Sequence, residues 1–466
     1  MEEERHSAAD PIEAVTSFVE ELAVAMVNAR IFGSDHRRTK DNLDRCVKIL
    51  ETDLAEFPGD WIEIRSALEF LVWEDKPLLG LSLAADRFLQ PLGDKGLGGF
   101  RVEKKVTARD LSLLLDVLVH SPPGKVEAEK VNAFLEQNDC SSVRFLPPGD
   151  LVEGKKDEGF HLLYPSIQKA VRLTQDVSRL LESVTLRVCQ GGELRLREME
   201  DKVEEILEEL KSNPVWLLRM SEYDRYDAFT FGHSLRVCLL ALFFARTLTE
   251  DSSFLSRLGR AALLHDIGKA RVPFEILHSR TRLTDEEKEE MNRHPVYGAE
   301  ILLESRESDP LSLAVTFGHH KGLDYQGYPV TIHKAPLSLA TRVVKICDVF
   351  EALTSVRPYK HPIPPGRAYR IMMAMEDHFD RALLKRFIRV MGLYPPGSRV
   401  LLSSGEKAMV VRQTEDLQRP VVTLLDAPGP GEEPPPEKRV VDLGRRTDLF
   451  IEKALKEPAR QVLAGS

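Results

Sequence analysis

Apolar residues recur at helical spacing over residues 12–32 and 38–56, separated by a polar turn at 33–36. Residues 66–73 alternate in part, and Asp75-Lys76-Pro77 then precedes a second apolar run, which is the pattern of a hairpin. Helical spacing returns at 84–96, 107–119 and 125–137, with short strand patterns at 99–104 and 142–146. Residues 1–150 are thus predicted to form a compact α+β domain. Pro147-Pro148-Gly149-Asp150 and the charged run 153–158 read as a linker. Long helical periodicity over 162–188 and 193–211, broken at Gly191-Gly192, predicts a helical hairpin. Its charged faces are either solvated or the flanks of a dimerising coiled coil, so a homodimer through residues 162–211 is one expectation. Helical patterns dominate 222–394. Beyond them, 397–402, 408–412 and 421–425 read as strands, and the proline-rich stretch 428–438 as a loop. The expected divisions are therefore 1–150, 151–221, 222–394 and a small β appendage with its tail at 395–466.

Composition narrows the class. A chain of 466 residues exceeds one ordinary core, and 42% hydrophobic with 30% charged residues describes a soluble globular protein. No run of 18 apolar residues appears, so no membrane span is expected. Residues 1–10 are acidic and polar, the reverse of a signal peptide, and a cytoplasmic location is expected. Five scattered cysteines without a CxxC pair argue against a disulfide framework and a thiolate zinc site. The net charge of −10 argues against nucleic acid as a partner, since backbone binding needs a broad basic surface. A small polyanion needs only a local cluster of cations.

The chemistry lies in the helical part. His233, His265, His294, His319 and His320, with Asp266 and Asp348, interrupt otherwise apolar helical stretches. A buried helix holds such groups only when a partner or a metal compensates their desolvation. In residues 261–269 an apolar helix abruptly presents His265, Asp266 and Lys269, the His and Lys being four apart on one face. Asp266 has two oxygens with which to bridge two cations. His294 precedes Pro295, suited to a helix's first turn, and Thr284 to Glu287 forms a capping-box pattern. A lone histidine on an apolar face is more often a hydrogen-bonded core residue than a ligand. Seven such groups within about 170 residues make a metal centre the better reading. Nitrogen and carboxylate donors together suit iron, manganese or zinc rather than calcium.

The order of these motifs resembles the HD-GYP family of the HD phosphohydrolase superfamily. The matching pieces are His233-Ser234-Leu235-Arg236-Val237, His265-Asp266-Ile267-Gly268-Lys269, Val272-Pro273, Leu283-Thr284 with Glu287, and His294-Pro295 with Gly298. His319-His320, Gly327-Tyr328-Pro329, Asp348, Ala352-Leu353-Thr354 and Arg357-Pro358-Tyr359 complete them. The resemblance implies a mainly α protein: an HD-type bundle of helices around a binuclear metal centre that hydrolyses cyclic di-GMP to pGpG or GMP. It implies His233, His265, Asp266 and Asp348 around one ion, and Asp266, His294, His319 and His320 around the other. The expected cofactors are two divalent ions, iron or manganese ahead of zinc. Two close cations acidify water and neutralise phosphodiester oxygens. Lys269 is then expected to serve catalysis beside Asp266, and Tyr328, Arg357 and Lys360 to contact substrate, the two cations by clamping the second phosphate.

Four positions depart from the pattern. Some three-metal relatives carry a glutamate four residues before the first histidine, where Phe229 stands here, so two ions are expected. Lys321 replaces an acid after the histidine doublet: pointing inward it repels metal, and pointing outward it is harmless or meets substrate phosphate. Tyr325 stands where glycine is usual, which predicts altered loop geometry, and Glu351 replaces a frequent aspartate. Two other functions stay open at this point: a catalytically weak module that binds a ligand or a protein, and a hydrolase for another cyclic dinucleotide. In the N-terminal part His36, Arg37, Arg38, Trp61 and Trp73 read as surface and core, and no site emerges there.

Overall fold

The computed structural model describes residues 11–148, 164–222, 231–355, 362–425 and 440–455, apart from 56, 68–69, 75, 79–81, 121–123, 193, 195–196, 278, 280–281, 306–308 and 333. The chain divides into two compact units, one holding the described residues up to 148 and the other those from 164 to 455.

The first unit runs α1 (Pro11–Phe32), α2 (Arg37–Thr52), β1 (Trp61–Ala67), β2 (Phe70–Trp73), β3 (Lys76–Pro77), α3 (Ser82–Lys95), β4 (Gly99–Glu103), α4 (Ala108–Val119), α5 (Ala128–Gln137) and β5 (Val143–Leu146). Its strands form an antiparallel sheet in the order β3-β2-β1-β4-β5. The apolar stripe of α1, with Phe18, Leu22 and Met26 fully buried, packs with Ile62, Ile64, Phe100 and Val102 in one core. The partly alternating run at 66–73 is two strands, β1 and β2, rather than one, pairing Arg65 with Val72 and Ala67 with Phe70. Trp73 lies in the core at 4% exposure, while Trp61 stacks under the Arg101 guanidinium at 4.7 Å.

The second unit begins with the hairpin α6 (Tyr164–Cys189) and α7 (Arg197–Ser212). Met199, Val203, Ile206 and Leu210 of α7 are buried within this unit, so the hairpin's apolar stripe is covered by the chain itself and gives no support to a coiled-coil dimer. Then follow α8 (Pro214–Glu222), α9 (Phe231–Ala245), α10 (Ser252–Leu264), α11 (Phe274–Leu277), α12 (Asp285–Met291), α13 (His294–Glu304), α14 (Pro310–Gly318), α15 (Leu339–Thr354), α16 (Pro365–Ala374) and α17 (Arg381–Met391). Thr284 and Glu287 close the expected capping box of α12, and Pro295 sits in the first turn of α13. Strands β6 (Arg399–Leu402), β7 (Lys407–Arg412), β8 (Val421–Leu424), β9 (Val440–Asp442) and β10 (Ile451–Ala454) form an antiparallel sheet ordered β10-β6-β7-β8-β9. Its small core is Val400, Leu402, Ala408, Val410, Val422 and Leu443. The proline-rich stretch read as a loop falls outside the described residues.

One residue fixes the helix that delivers the histidine doublet. Asp309 caps α14, accepting from the Ser312 amide at 3.0 Å, and also accepts from Arg257 at 2.8 Å and from the buried Arg260 at 3.2 Å. Arg260 keeps Glu200 as a second carboxylate partner, so Asp309→Ala loses the cap and one of two ion-pair partners and is predicted to lower stability by roughly 1–2 kcal/mol. A thermal melt showing less than a third of that loss would place the anchoring of α14 elsewhere.

Candidate metal centre

The helices α9, α10, α13, α14 and α15 each end at, begin with or carry one of the predicted residues. His233 lies in the first turn of α9, Asp348 mid-way along α15, and His294 opens α13. His265 caps α10, and His319 and His320 follow α14. The stretch expected as one helix through 269 breaks: α10 ends at Leu264 and a 3-10 turn runs Ile267–Arg271. His265 and Lys269 therefore do not share an α-helical face. The break turns Lys269 back onto Asp266, Nζ lying 2.5 Å from Oδ2. Gly268 makes the geometry possible. A Cβ there would lie 1.9 Å from the His294 carbonyl oxygen and 2.4 Å from the Gly298 nitrogen, so only glycine lets the turn touch α13.

The seven predicted donors gather into two groups, Asp266 with His294, His319 and His320, and His233 with His265 and Asp348, the donor atoms of each lying within 4.8 Å of one another. Asp266 faces both. Its Oδ2 lies 3.6 Å from His233 Nε2 and 3.5 Å from His265 Nε2, and its Oδ1 lies 3.2 Å from His294 Nε2 and 3.7 Å from His319 Nε2. His233 Nε2 is also 3.2 Å from Asp348 Oδ1, and His320 Nδ1 is 4.0 Å from Asp348 Oδ2.

Tautomers decide what these contacts mean. His265 Nδ1 lies 2.7 Å from the Ala262 carbonyl, His294 Nδ1 2.8 Å from that of Met291, and His319 Nδ1 2.9 Å from that of Thr316. A carbonyl only accepts, so each Nδ1 carries the proton and each Nε2 points a lone pair inward. His294 Nε2 lies 3.3 Å from His319 Nε2 and 3.2 Å from Asp266 Oδ1. His265 Nε2 and Asp266 Oδ1 are buried without a hydrogen-bond partner. Unpaired buried acceptors that converge are costly unless a cation lies between them. The donor set, with imidazoles anchored through their far nitrogen, fits a divalent metal.

Charge agrees with this. Burial holds His265 and His319 below their ordinary pKa and pushes His320 down to about 3, so all three are neutral and able to coordinate. Burial opposes ionisation of Asp266 and Asp348, yet Lys269 and His265 around the first, and His233 beside the second, hold both below the usual carboxylate range. His233 differs: burial disfavours its cation, but Glu351 and Asp348 outweigh that and raise it to about 9. Its Nδ1 lies 2.5 Å from Glu351 Oε2, whose other oxygen accepts from Arg236 at 2.6 Å. Glu351 is the residue that motif reading passed over as a mild replacement. Its signal was present, a buried acid three residues from Asp348 on an apolar helix.

Tyr328 stacks on His320, centroids 4.4 Å apart at 34°, and meets His294 edge-on at 5.9 Å. Lys321 points away from the donors: its Nζ donates to Thr331 Oγ1 at 2.5 Å and lies over the Phe317 ring at 5.2 Å. Tyr325 sits at φ 62°, the left-handed conformation that glycine takes freely. Arg357, Lys360 and Phe229 lie outside the described residues. Among described helices none is long and apolar enough to cross a membrane.

One family model and three relatives bear on this geometry. The HD domain family model matches residues 195–383. A cyclic di-GMP phosphodiesterase of Pseudomonas aeruginosa is 34% identical over 292 residues, 62% of this chain and 70% of the relative. A cyclic di-GMP phosphodiesterase of Thermotoga maritima is 35% identical over 279 residues, 59% of this chain and 70% of the relative. A 3'3'-cGAMP-specific phosphodiesterase of Vibrio cholerae is 36% identical over 149 residues, 32% of each.

Proposed function

The chain belongs to the HD-GYP family of HD-domain phosphohydrolases, and from that premise we propose that it is a metal-dependent phosphodiesterase that opens cyclic di-GMP to pGpG or carries it on to GMP. The observation that carries the reading is the Asp266 carboxylate, which turns one oxygen toward each group of inward-facing lone pairs. Its Oδ2 with His233, His265 and Asp348 would hold one divalent ion, and its Oδ1 with His294, His319 and His320 a second. Mixed nitrogen and carboxylate donors fit iron, manganese or zinc, and of these we propose iron or manganese. When bound, a pair of such ions acidifies water and neutralises phosphodiester oxygens.

The remaining roles belong to the chain itself. Lys269, 2.5 Å from Asp266, is placed to meet a phosphate oxygen or to give the leaving oxygen its proton. Tyr328, stacked on His320, is proposed to contact the substrate through its hydroxyl. Arg357 and Lys360 are proposed to hold the second phosphate. The buried thiols Cys46, Cys140, Cys238 and Cys347, all free, support action in the reducing cytosol.

A second substrate has a specific ground, since relatives named for 3'3'-cGAMP are 36% and 32% identical over 149 and 166 residues. Anaerobic purification, metal analysis and chromatography of products from both cyclic dinucleotides test the reading. About two ions per chain with turnover of cyclic di-GMP are expected. Turnover of 3'3'-cGAMP alone would move the substrate, and absence of metal and turnover after metal resupply would leave a binding module.

His233 adds a pH signature. Raised to about 9, it is protonated in the metal-free chain at neutral pH, and coordination must displace that proton. Metal uptake at pH 7.5 is therefore expected to release about one proton per chain, and affinity to rise with pH until about 9. Calorimetry in buffers of different ionisation enthalpy measures this. Uptake without proton release would overturn the raised basicity of His233 in the metal-free chain.

A further inference from the structure

Between the histidine doublet and Tyr328, the loop is joined to the bundle by side chains that none of the proposed roles uses. Lys345 lies on α15, one turn before Asp348, and is 2% exposed. Its Nζ is 2.8 Å from Nε2 of His378, in the 3-10 turn Glu376–His378. The other ring nitrogen, Nδ1, faces Asp324 Oδ1 at 3.8 Å. Asp324 belongs to the loop. Two backbone bonds join the same pieces: the Leu323 amide donates to the His378 carbonyl at 3.4 Å, and the Asp324 amide to that of Asp377 at 3.0 Å.

The polarity of the chain runs one way. An ammonium has only protons to give, so Lys345 donates to His378 Nε2, and the ring proton sits on Nδ1, toward the Asp324 carboxylate. Asp324 Oδ1 accepts in turn from the Gln326 amide at 3.0 Å, which shapes the turn. Burial works against the Lys345 charge and lowers its pKa to about 8, while Asp348 and Asp324 oppose that fall. The Phe379 ring, 5.5 Å away, adds a face for the cation. The far side of the loop is tightly constrained as well. Gly327 has φ 92°, and a Cβ there would lie 2.2 Å from the His320 carbonyl oxygen, so the chain passes directly over the doublet before reaching Tyr328.

We propose that Lys345, acting through His378 and Asp324, is a positioning residue that latches this loop and so holds Tyr328 against His320 at the substrate mouth. The kinetic consequence rests on the phosphodiesterase reading; the structural one does not. A cyclic dinucleotide must pass the loop, whereas a small diester such as bis(p-nitrophenyl) phosphate needs only the metal centre.

Lys345→Met fills the same volume without the donor, and Asp324→Asn, on the loop itself, removes the charge at the other end. Both are expected to lower kcat/KM for cyclic di-GMP about tenfold, mainly through KM, as loss of one buried hydrogen-bond partner implies. Metal content and turnover of the small diester should stay as they are. Amide exchange at Leu323 and Asp324 should quicken by a similar factor, and in a Tyr328→Ala background Lys345→Met should add nothing further to KM. Equal losses on both substrates, or loss of metal, would make Lys345 a mere support of α15. Unchanged amide exchange would overturn the latch. If the unaltered chain cleaves neither diester, the functional reading fails while the exchange measurement still decides the latch.

Discussion

Asp266→Ala is expected to leave a folded chain that holds no tightly bound divalent metal and cleaves cyclic di-GMP at least about 10³-fold more slowly. The reason is that one carboxylate serves both groups of donors. Oδ2 stands 3.6 and 3.5 Å from His233 and His265, and Oδ1 stands 3.2 and 3.7 Å from His294 and His319. Without it the second group is three imidazoles and no anion, and the first keeps only Asp348. The fold should tolerate the loss. Asp266 is 5% exposed and its charge opposes burial, while Lys269, the cation it holds, is one-fifth exposed and can turn to water. Metal analysis beside circular dichroism separates the outcomes. A folded Asp266→Ala chain with its full complement of metal would show that the carboxylate is not shared.

Much of this centre was legible because its residue types are out of place. Histidine and aspartate on helices that are otherwise apolar must be compensated, and that demand is local enough to read from spacing. What spacing could not show was where a helix stops. The run through Lys269 has helical periodicity, yet the chain breaks after Leu264, because only a tight turn on Gly268 brings Asp266 up to α13. At the loop the sequence left two orientations open for Lys321, and the structure takes the outward one, to Thr331, while Tyr325 adopts the left-handed backbone that glycine takes freely. Short strands fared worst. β9 and β10 have three and four residues, too few for alternation to stand out, and they follow a proline-rich stretch that ends any pattern. Lys345 carried no signal, since a lone lysine at helical spacing reads as solvent-facing until its neighbours are known.

Glu351 makes the same point with a larger consequence. It is 2% exposed and holds His233 through Nδ1 at 2.5 Å while accepting from Arg236 at 2.6 Å. A carboxylate behind an imidazole fixes its orientation and raises its basicity, and removing such a partner costs about 10–100-fold in metal affinity or activity. Glu351→Gln keeps the shape and an acceptor oxygen but loses the charge that lifts His233 to about 9. The substitution is expected to reduce metal content from about two ions to about one, sparing the group built on His294, His319 and His320. Proton release on metal uptake at pH 7.5 should shrink with it, because a His233 of lower pKa is already neutral there. Glu351→Asp keeps the charge on a shorter arm and should recover part of both. If Glu351→Gln bound two ions with undiminished proton release, the carboxylate would be an anchor for Arg236 alone, and the elevated basicity of His233 would have to come from Asp348.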